Sequence, residues 1–102
     1  MKHFYLLIFF LFFSFSYAQS SNSKGEINGF KLYPNPVTNS KVFISTSENA
    51  PKKILIFDVF GSQILKTTIL GKELGLNNID AGVYVLRVYE KDKVATRKLI
   101  IK

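Results

Sequence analysis

The chain has 102 residues, with 14 lysines and arginines against 7 aspartates and glutamates, which gives a formal net charge of +7 at pH 7. It contains no cysteine, so disulfide bonds cannot stabilise it and a thiol nucleophile is excluded. Because 47% of the residues are hydrophobic, an apolar core built by packing alone is the expected source of stability.

The N-terminus has the pattern of a signal peptide. Lys2 precedes the apolar run Phe4–Phe13, and small residues in Ser16–Ala18 occupy the positions that a signal peptidase reads. We therefore expect a signal peptide over residues 1–18, cleavage before Gln19 and a mature protein outside the cytoplasm. A membrane-spanning helix is the weaker alternative, because it needs about 20 consecutive apolar residues and this run is about half as long, so no permanent membrane span is expected.

The mature region divides into a polar leader and one folded domain. Residues 19–29 are rich in Ser, Asn and Gly without periodicity, and we interpret them as a flexible polar leader. From residue 30 to residue 102, β-branched and aromatic runs alternate with turn residues, and no helix of useful length is visible. Six or seven antiparallel strands at this spacing predict an all-β sandwich. Strands are expected over Phe30–Tyr33, Lys41–Ser47, Lys52–Val59, Gln63–Leu70, Leu74–Asn77, Val83–Glu90 and Val94–Ile101.

Alternation along these strands assigns side chains to the two faces of the sandwich. In the strand that begins at Val83, Arg87 marks the outer face and places Leu86 in the core. Leu55 and Phe57 leave their strand apolar on both faces, so its outer face is either covered or meets a partner. The residues expected in the core are Val42, Ile44, Ile54, Ile56, Tyr84, Leu86 and Val88, and those expected outside are Val83, Val85, Arg87 and Tyr89.

Glycines and prolines mark the expected turns. Gly61 and Gly82 lie where the chain should reverse, and we expect both to adopt a positive φ. Lys91–Lys93 is expected to form a short hairpin turn. In Tyr33–Pro36, which reads Tyr-Pro-Asn-Pro, two prolines fix φ and remove N–H donors. This segment should therefore lie at a sheet edge or in a turn, not in a central strand.

The sequence offers no recognisable catalytic site. Its one histidine, His3, lies in the predicted signal peptide, so the usual general base is absent from the mature region. The carboxylates lack the spacing of an acid/base pair or of a metal-binding loop. We therefore expect a non-enzyme with no catalytic residue, cofactor or metal. A site assembled in three dimensions from Asp58, Asp80 or Asp92 is the alternative, and local backbone bonding is the simpler interpretation of these residues.

Four segments of the folded domain form a recognisable ordered set. They are Leu32–Val37, Ile54–Asp58 followed by Gly61, Ile79–Tyr84, and the basic end Lys98–Lys102. Together they are similar to the type A C-terminal sorting domain of the Bacteroidetes type IX secretion system, also called the Por secretion system, over the whole folded domain. The resemblance implies an immunoglobulin-like sandwich at the C-terminus of a cargo, which crosses the periplasm, is recognised by the outer-membrane translocon and is commonly removed by a sortase-like peptidase.

The resemblance also implies function, partners and recognition residues. It implies a secretion-targeting domain that reaches the medium or the cell surface through the periplasm, with translocon and sortase components as partners. In the family, the basic C-terminal strand contributes to recognition. The residues of this chain that match the sorting motif are Tyr33, Pro34, Asn35, Pro36, Gly61, Gly82, Tyr84, Lys98 and Lys102.

The chain departs from the family pattern in one respect. Members usually carry a cargo region of hundreds of residues, whereas here only the leader precedes the domain, so both a remnant of a larger cargo protein and a genuine small secreted protein fit. A second hypothesis is a small secreted surface-binding or adhesive module that uses Phe57, Phe60 and Tyr89. A contiguous exposed aromatic patch would favour that module, and its absence would favour targeting.

The basic charge balance indicates the kind of partner. Loss of Lys2 with the signal peptide lowers the net charge from +7 to +6, and basic proteins attract polyanions. An exported protein rarely meets nucleic acid, so anionic lipopolysaccharide or an acidic translocon surface is the better candidate. Other lysines are expected to keep strand edges soluble, with Lys98 and Lys102 as exceptions. The lysines in that solubilising group include Lys52, Lys53, Lys91 and Lys93.

Overall fold

The computed structural model describes residues 25–102. The predicted signal peptide and residues 19–24 of the predicted leader lie outside the described residues. Seven strands form close to the predicted positions, and no strand end differs from its prediction by more than two residues. They are β1 (Lys31–Tyr33), β2 (Lys41–Ser45), β3 (Lys52–Phe57), β4 (Gln63–Ile69), β5 (Glu73–Gly75), β6 (Gly82–Glu90) and β7 (Lys93–Ile101).

The strands form two antiparallel sheets that enclose one core. The first sheet has the order β1-β2-β5 and the second has the order β4-β3-β6-β7. β4 therefore lies beside β3, whereas in an immunoglobulin constant-type sandwich the fourth strand joins the sheet of the first, second and fifth. The expected all-β, immunoglobulin-like sandwich is confirmed. No helix that is long and apolar enough to span a membrane occurs in the described part of the chain.

Alternation along each strand builds the core between the sheets. Ile54 and Ile56 of β3 are fully buried opposite Val88 and Leu86 of β6, so the predicted facing of these strands is confirmed. Burying each side chain of this size contributes about 1.5–3 kcal/mol. Tyr84 is half-buried and packs against the core. The buried apolar residues are Ile27, Val37, Val42, Ile44, Ile54, Ile56, Ile69, Leu74, Leu76, Leu86, Val88, Ala95, Leu99 and Ile101.

A buried polar network closes one end of the core. Lys52 starts β3 and Glu90 ends β6, and the Lys52 Nζ lies 3.5 Å from the Glu90 Oε2. The same Oε2 accepts hydrogen bonds from Thr46 Oγ1 at 2.6 Å and from the Ala50 N–H at 3.0 Å. Lys52 Nζ donates to the Ala50 carbonyl at 2.9 Å. The prediction that Lys52 solubilises a strand edge is wrong, because alternation places it on the same inward face as Ile54.

Residues 25–29 pack against the sandwich, so the packed region begins before the predicted domain boundary. Ile27 is only 4% exposed and belongs to the core. The Asn28 carbonyl accepts a hydrogen bond from the Ser47 N–H at 3.0 Å. Gly29 has a φ of +67°, and a Cβ there would lie 3.1 Å from the Ser47 nitrogen. The interpretation of this segment as flexible leader is corrected here, because burial of one isoleucine fixes it.

Of the two glycines expected to adopt a positive φ, only one does. Gly61, in the turn between β3 and β4, has a φ of +86°, and its N–H donates to the Asp58 carbonyl at 3.0 Å. Gly82 lies outside the left-handed region, so that prediction is wrong. The chain reverses earlier, at Leu76–Ile79, where the N–H of the last residue bonds the carbonyl of the first at 3.2 Å. A Cβ on Gly82 would lie 3.5 Å from Tyr84 Cε2, an ordinary contact.

Candidate recognition site

The Tyr33–Pro36 segment carries the chain from one sheet to the edge of the other. Tyr33 is the last residue of β1 in the three-stranded sheet. Val37 forms an isolated parallel bridge with Ile101 of β7, in the four-stranded sheet. Between them the two prolines have no N–H to donate, so no regular ladder can form across this segment. The segment therefore lies at a sheet edge, as its prolines require.

Asn35 replaces the missing backbone groups with its side-chain amide. Its Nδ2 donates to the Lys98 carbonyl at 2.8 Å, and its Oδ1 accepts from the Ile100 N–H at 3.0 Å. The Val37 N–H then donates to the Ile100 carbonyl at 2.8 Å, and the Lys102 N–H donates to the Val37 carbonyl at 2.9 Å. We call Asn35–Val37 the strap. Its four hydrogen bonds cover the C-terminal part of the outer edge of β7, which would otherwise be open for pairing with another chain.

Packed side chains hold the strap at both ends. Val37 is fully buried in the core, although nothing in the local sequence pattern marked this single apolar residue. Tyr33 stacks on Phe43 of β2, with ring centroids 5.7 Å apart and planes 20° from parallel. Such aromatic pairs contribute about 0.5–1.5 kcal/mol beyond the area they bury. Tyr33 nevertheless remains 45% exposed and so is accessible to a partner.

Lys98 and Lys102 lie beside the strap with exposed side chains. Their backbone groups are among those that the strap binds, so the positions of both lysines are fixed while their ammonium groups stay solvated. The structure thus bonds Asn35 of the predicted motif to the backbone of Lys98. The Tyr33 ring lies instead on the outer face of the three-stranded sheet, against Phe43. We call Tyr33–Pro36 together with Lys98 and Lys102 the recognition site.

The other three motif residues support the fold at other positions. Tyr84 Oη donates to the Asp80 carbonyl at 2.6 Å, four residues upstream. This is a tyrosine corner, a feature of immunoglobulin-like sandwiches in which a tyrosine near the start of the sixth strand fixes the preceding loop. Gly82 lies beneath the Tyr84 ring, as its contact distances show. Gly61 lies in the turn between β3 and β4, two strands away from β7.

The turn between β3 and β4 presents one exposed aromatic residue. Asp58 Oδ1 accepts hydrogen bonds from the Phe60 and Ser62 N–H groups, both at 2.9 Å. The predicted turn-stabilising role of Asp58 is therefore confirmed. Phe60 is 90% exposed at this turn.

The other two aromatic residues considered for a binding module are half-buried and lie next to cations. The Arg87 Cζ lies 5.8 Å from the ring centroid of Phe57, and the Lys53 Nζ lies 4.6 Å from that of Tyr89. Of the three aromatic residues, Phe60 alone is largely open to solvent. They do not form a contiguous exposed aromatic patch, and this favours targeting over the binding module.

The titratable groups of residues 25–102 form no metal-binding cluster of three or more His, Cys, Asp or Glu side chains. One surface ion pair shifts the pKa values of both of its residues. Lys91 Nζ donates to Glu48 Oε1 at 2.8 Å, and this hydrogen bond, with the attraction of the charges, lowers the pKa of Glu48 and raises the pKa of Lys91. Because both side chains are exposed, the shifts reflect a surface salt bridge and not a desolvated catalytic group.

Comparison with known proteins places this fold and motif in context. The sequence model of the secretion system C-terminal sorting domain matches residues 31–102. Among solved structures, the chain is similar to PorZ of Porphyromonas gingivalis, described as an essential bacterial surface component of the type IX secretion system. The TM-score is 0.55 and the identity 23%, over 72% of this chain and 11% of the PorZ chain, so the likeness concerns the fold of one small part of that protein. A search of curated proteins found no match.

The matched region begins at the first residue of β1 and contains both sheets, the strap and the basic end of β7. It therefore includes every element that positions the candidate recognition site. The chain belongs to the family of secretion system C-terminal sorting domains.

Proposed function

We propose that residues 30–102 act as a non-enzymatic targeting domain that directs export across the outer membrane by the type IX secretion system. Membership of the sorting-domain family supports the targeting role. The observation that carries the proposal is the strap, which joins the Tyr-Pro-Asn-Pro segment to the basic end of β7. Two motif segments that are distant in sequence thus meet at one edge of the four-stranded sheet.

The strap prepares this surface for binding before a partner arrives. Without it, the end of β7 would be an edge that frays, and a partner would have to order Lys98 and Lys102 on binding. Ordering a long side chain or a loop at an interface costs free energy, so a site that is already fixed binds more tightly. The two exposed ammonium groups steer the domain toward an acidic translocon surface.

The remaining motif residues serve this surface through the fold. Tyr84 and Gly82 lie on β6, and their register partners on β7 are Leu99 and Ile101. They therefore lie on the strand that pairs with one edge of β7, and the strap bonds the opposite edge of β7. Gly61 has a separate role, since it permits the turn between β3 and β4.

The proposal extends to the path of the protein. The signal peptide over residues 1–18 delivers it to the periplasm, and translocon and sortase components then act on the domain. The protein then lies at the cell surface or in the medium. Anionic lipopolysaccharide is a further candidate partner, since the domain is basic.

A reporter experiment tests the proposed function. A periplasm-directed fluorescent protein is fused ahead of residues 24–102 and expressed in a Bacteroidetes host with a working type IX system and in one that lacks it. The reporter should reach the surface or medium only in the first host. Equal export in both hosts would overturn the proposal.

A double variant isolates the basic end. Lys98→Ala with Lys102→Ala keeps the apolar residues of β7, and surface substitutions usually change stability by about 0.5 kcal/mol or less. The strap bonds only the backbone of these residues, so the fold should persist. The variant should retain its melting temperature and lose export. A folded variant that exports normally would show that the two charges only solvate the strand.

A further inference from the structure

The outer face of the four-stranded sheet carries basic and apolar side chains but no carboxylate at any of its strand positions. The register and the burial of alternate residues define this face, because residues opposite each other on paired strands share a side. We call it the β4–β7 face. Its outward residues are Lys53, Leu55, Phe57, Gln63, Lys66, Thr68, Val83, Val85, Arg87, Tyr89, Val94, Thr96, Lys98 and Ile100.

Apolar residues collect at one end of the β4–β7 face, where the recognition site lies. Phe57 is opposite Val85, and Val83 is opposite Ile100. Val83 is 48% exposed and Val85 is 39% exposed, so both valines of β6 present apolar surface to solvent. Lys98 lies directly opposite Val85, so the apolar cluster adjoins the basic end of β7.

Four cations share the β4–β7 face with this cluster, and two of them lie over aromatic rings. Lys53 lies over the Tyr89 ring, and Arg87 lies near the Phe57 ring. Lys66 is opposite Leu55, and Lys98 completes the set. The outer face of the three-stranded sheet differs, because there Glu73 accompanies the lysines of β1 and β2.

We propose that the β4–β7 face docks a protein surface of the export machinery that carries carboxylates beside an apolar patch. This inference rests on the proposed function and names the partner chemistry and the area of contact. Four cations, with no carboxylate at the strand positions of the face, are complementary to carboxylates on a partner, and the half-exposed valines supply the apolar contact that a stable interface needs.

The shape of the face favours a protein partner over a lipid surface. Its apolar side chains belong to a sheet and are only partly exposed, so they offer little surface for insertion into a bilayer. The cations beside Phe57 and Tyr89 are fixed at set positions, which suits carboxylates on a folded surface. A fluid anionic membrane needs no such fixed pattern, since it attracts basic residues by their number near the surface.

Charge reversal on the face tests the proposal with the same reporter fusion. Lys53→Glu with Lys66→Glu changes two exposed residues that are not part of the sorting motif. Export in the type IX host should fall by about tenfold or more, because like charges across an interface cost several kcal/mol. The matched control is Lys31→Glu with Lys41→Glu, which makes the same change on the outer face of the other sheet and should export normally.

A second pair of substitutions tests the apolar cluster. Val83→Thr with Val85→Thr keeps the β-branched shape and should reduce export, whereas Val59→Thr with Leu70→Thr, at two exposed positions outside the face, should not. Export is compared only among variants whose melting temperature equals that of the wild type. If the face variants export like the wild type while the wild type depends on the type IX system, the docking face is wrong and the proposed function stands. If the wild-type fusion itself does not depend on that system, both fall.

Vesicles separate the lipid alternative. The purified wild-type domain should bind phosphatidylglycerol-containing vesicles only weakly. The variant with Val83→Thr and Val85→Thr should bind them no better. Strong binding to those vesicles, lost in Lys53→Glu with Lys66→Glu while export persists, would assign the face to anionic lipid and overturn the proposal.

Discussion

Asn35 Oδ1 lies 3.0 Å from the backbone nitrogen of Ile100, 65 residues further along the chain. A side chain thus does what a neighbouring strand would do, at a place where flanking prolines prevent a strand from forming. The same amide reaches the Lys98 carbonyl with its Nδ2. The side chain of Asn35 therefore bonds one part of the β7 edge, and the backbone of Val37 bonds the next part.

Replacing this amide should weaken the domain. Asn35→Ala removes two hydrogen bonds that are exposed, each with a net contribution of about 0.5–1.5 kcal/mol, so the free energy of unfolding should fall by about 1–2 kcal/mol. Urea denaturation measures this, with Asn39→Ala as the control because that residue is an exposed asparagine in the following loop. Asn35→Asp keeps the acceptor but turns an oxygen toward the Lys98 carbonyl, and it should be no more stable than the alanine variant. Equal stability of Asn35→Ala and the control would contradict the role of the strap.

The buried Lys52 and Glu90 should depend strongly on each other. Lys52→Met leaves the Glu90 carboxylate buried without its cation, and losing one partner of a buried pair costs about 3–5 kcal/mol, a large share of the total of about 5–15 kcal/mol. The double variant Lys52→Met with Glu90→Gln has no buried charge, and Gln keeps an acceptor for Thr46 and Ala50. It should be more stable than the sum of the single effects implies. A double-mutant cycle from urea denaturation would give additive effects if the two groups did not interact.

The two motif glycines should respond differently to alanine. Gly61 has a positive φ, so Gly61→Ala should lower the free energy of unfolding by about 1–2 kcal/mol. Gly82→Ala meets no such strain and makes an ordinary contact with the Tyr84 ring, so stability should be unchanged or raised by up to about 1 kcal/mol. Thermal denaturation of both variants tests this contrast. A larger loss at Gly82 than at Gly61 would show that the backbone at these turns has been assigned the wrong way round.

The pair of Glu48 and Lys91 should give stability a dependence on pH at both ends of the range. The folded pKa of Glu48 is lowered, so its contribution is present above the unfolded value of about 4.3 and is lost as pH falls through the folded value. The folded pKa of Lys91 is raised, so its contribution is present below the unfolded value of about 10.4 and is lost as pH rises through the folded value.

Comparison of the wild type with Glu48→Gln isolates this pair. The difference in melting temperature should be constant between about pH 5 and pH 10 and should shrink outside that window. Because both side chains are exposed, high salt should shrink it as well. A difference that does not change with pH or salt would mean that the pair has no electrostatic role.

The strands and their facing could be predicted because they depend on local patterns. Arg87 among alternating apolar residues shows which face of β6 is outside, and the same alternation finds Ile54 and Ile56. The buried pair was missed, although a signal was present. Lys52 is two residues before Ile54, and Glu90 is two residues after Val88, so opposite charges occupy inward positions at the same end of two paired strands.

The strap could not be predicted, since it joins residues more than sixty positions apart and depends on which strand lies at the edge of the second sheet. Local sequence shows only that the Tyr33–Pro36 segment avoids the middle of a sheet. The prediction of a positive φ at Gly82 was wrong for a related reason. A glycine before a strong strand is typical of a reversal, but here the loop at Leu76–Ile79 had already turned the chain.

The strap also makes closure of the sandwich depend on residues 98–102. Asn35 and Val37 emerge from the ribosome early, but every one of their hydrogen-bond partners on β7 lies between Lys98 and Lys102. Until those residues are available, Val37 has no bridge and the edge strand β7 is not covered. Long-range pairing of this kind forms late in folding, because the ends of a long loop must first meet. A chain that lacks Lys98–Lys102 would therefore have no partner for the side chain of Asn35 or the backbone of Val37.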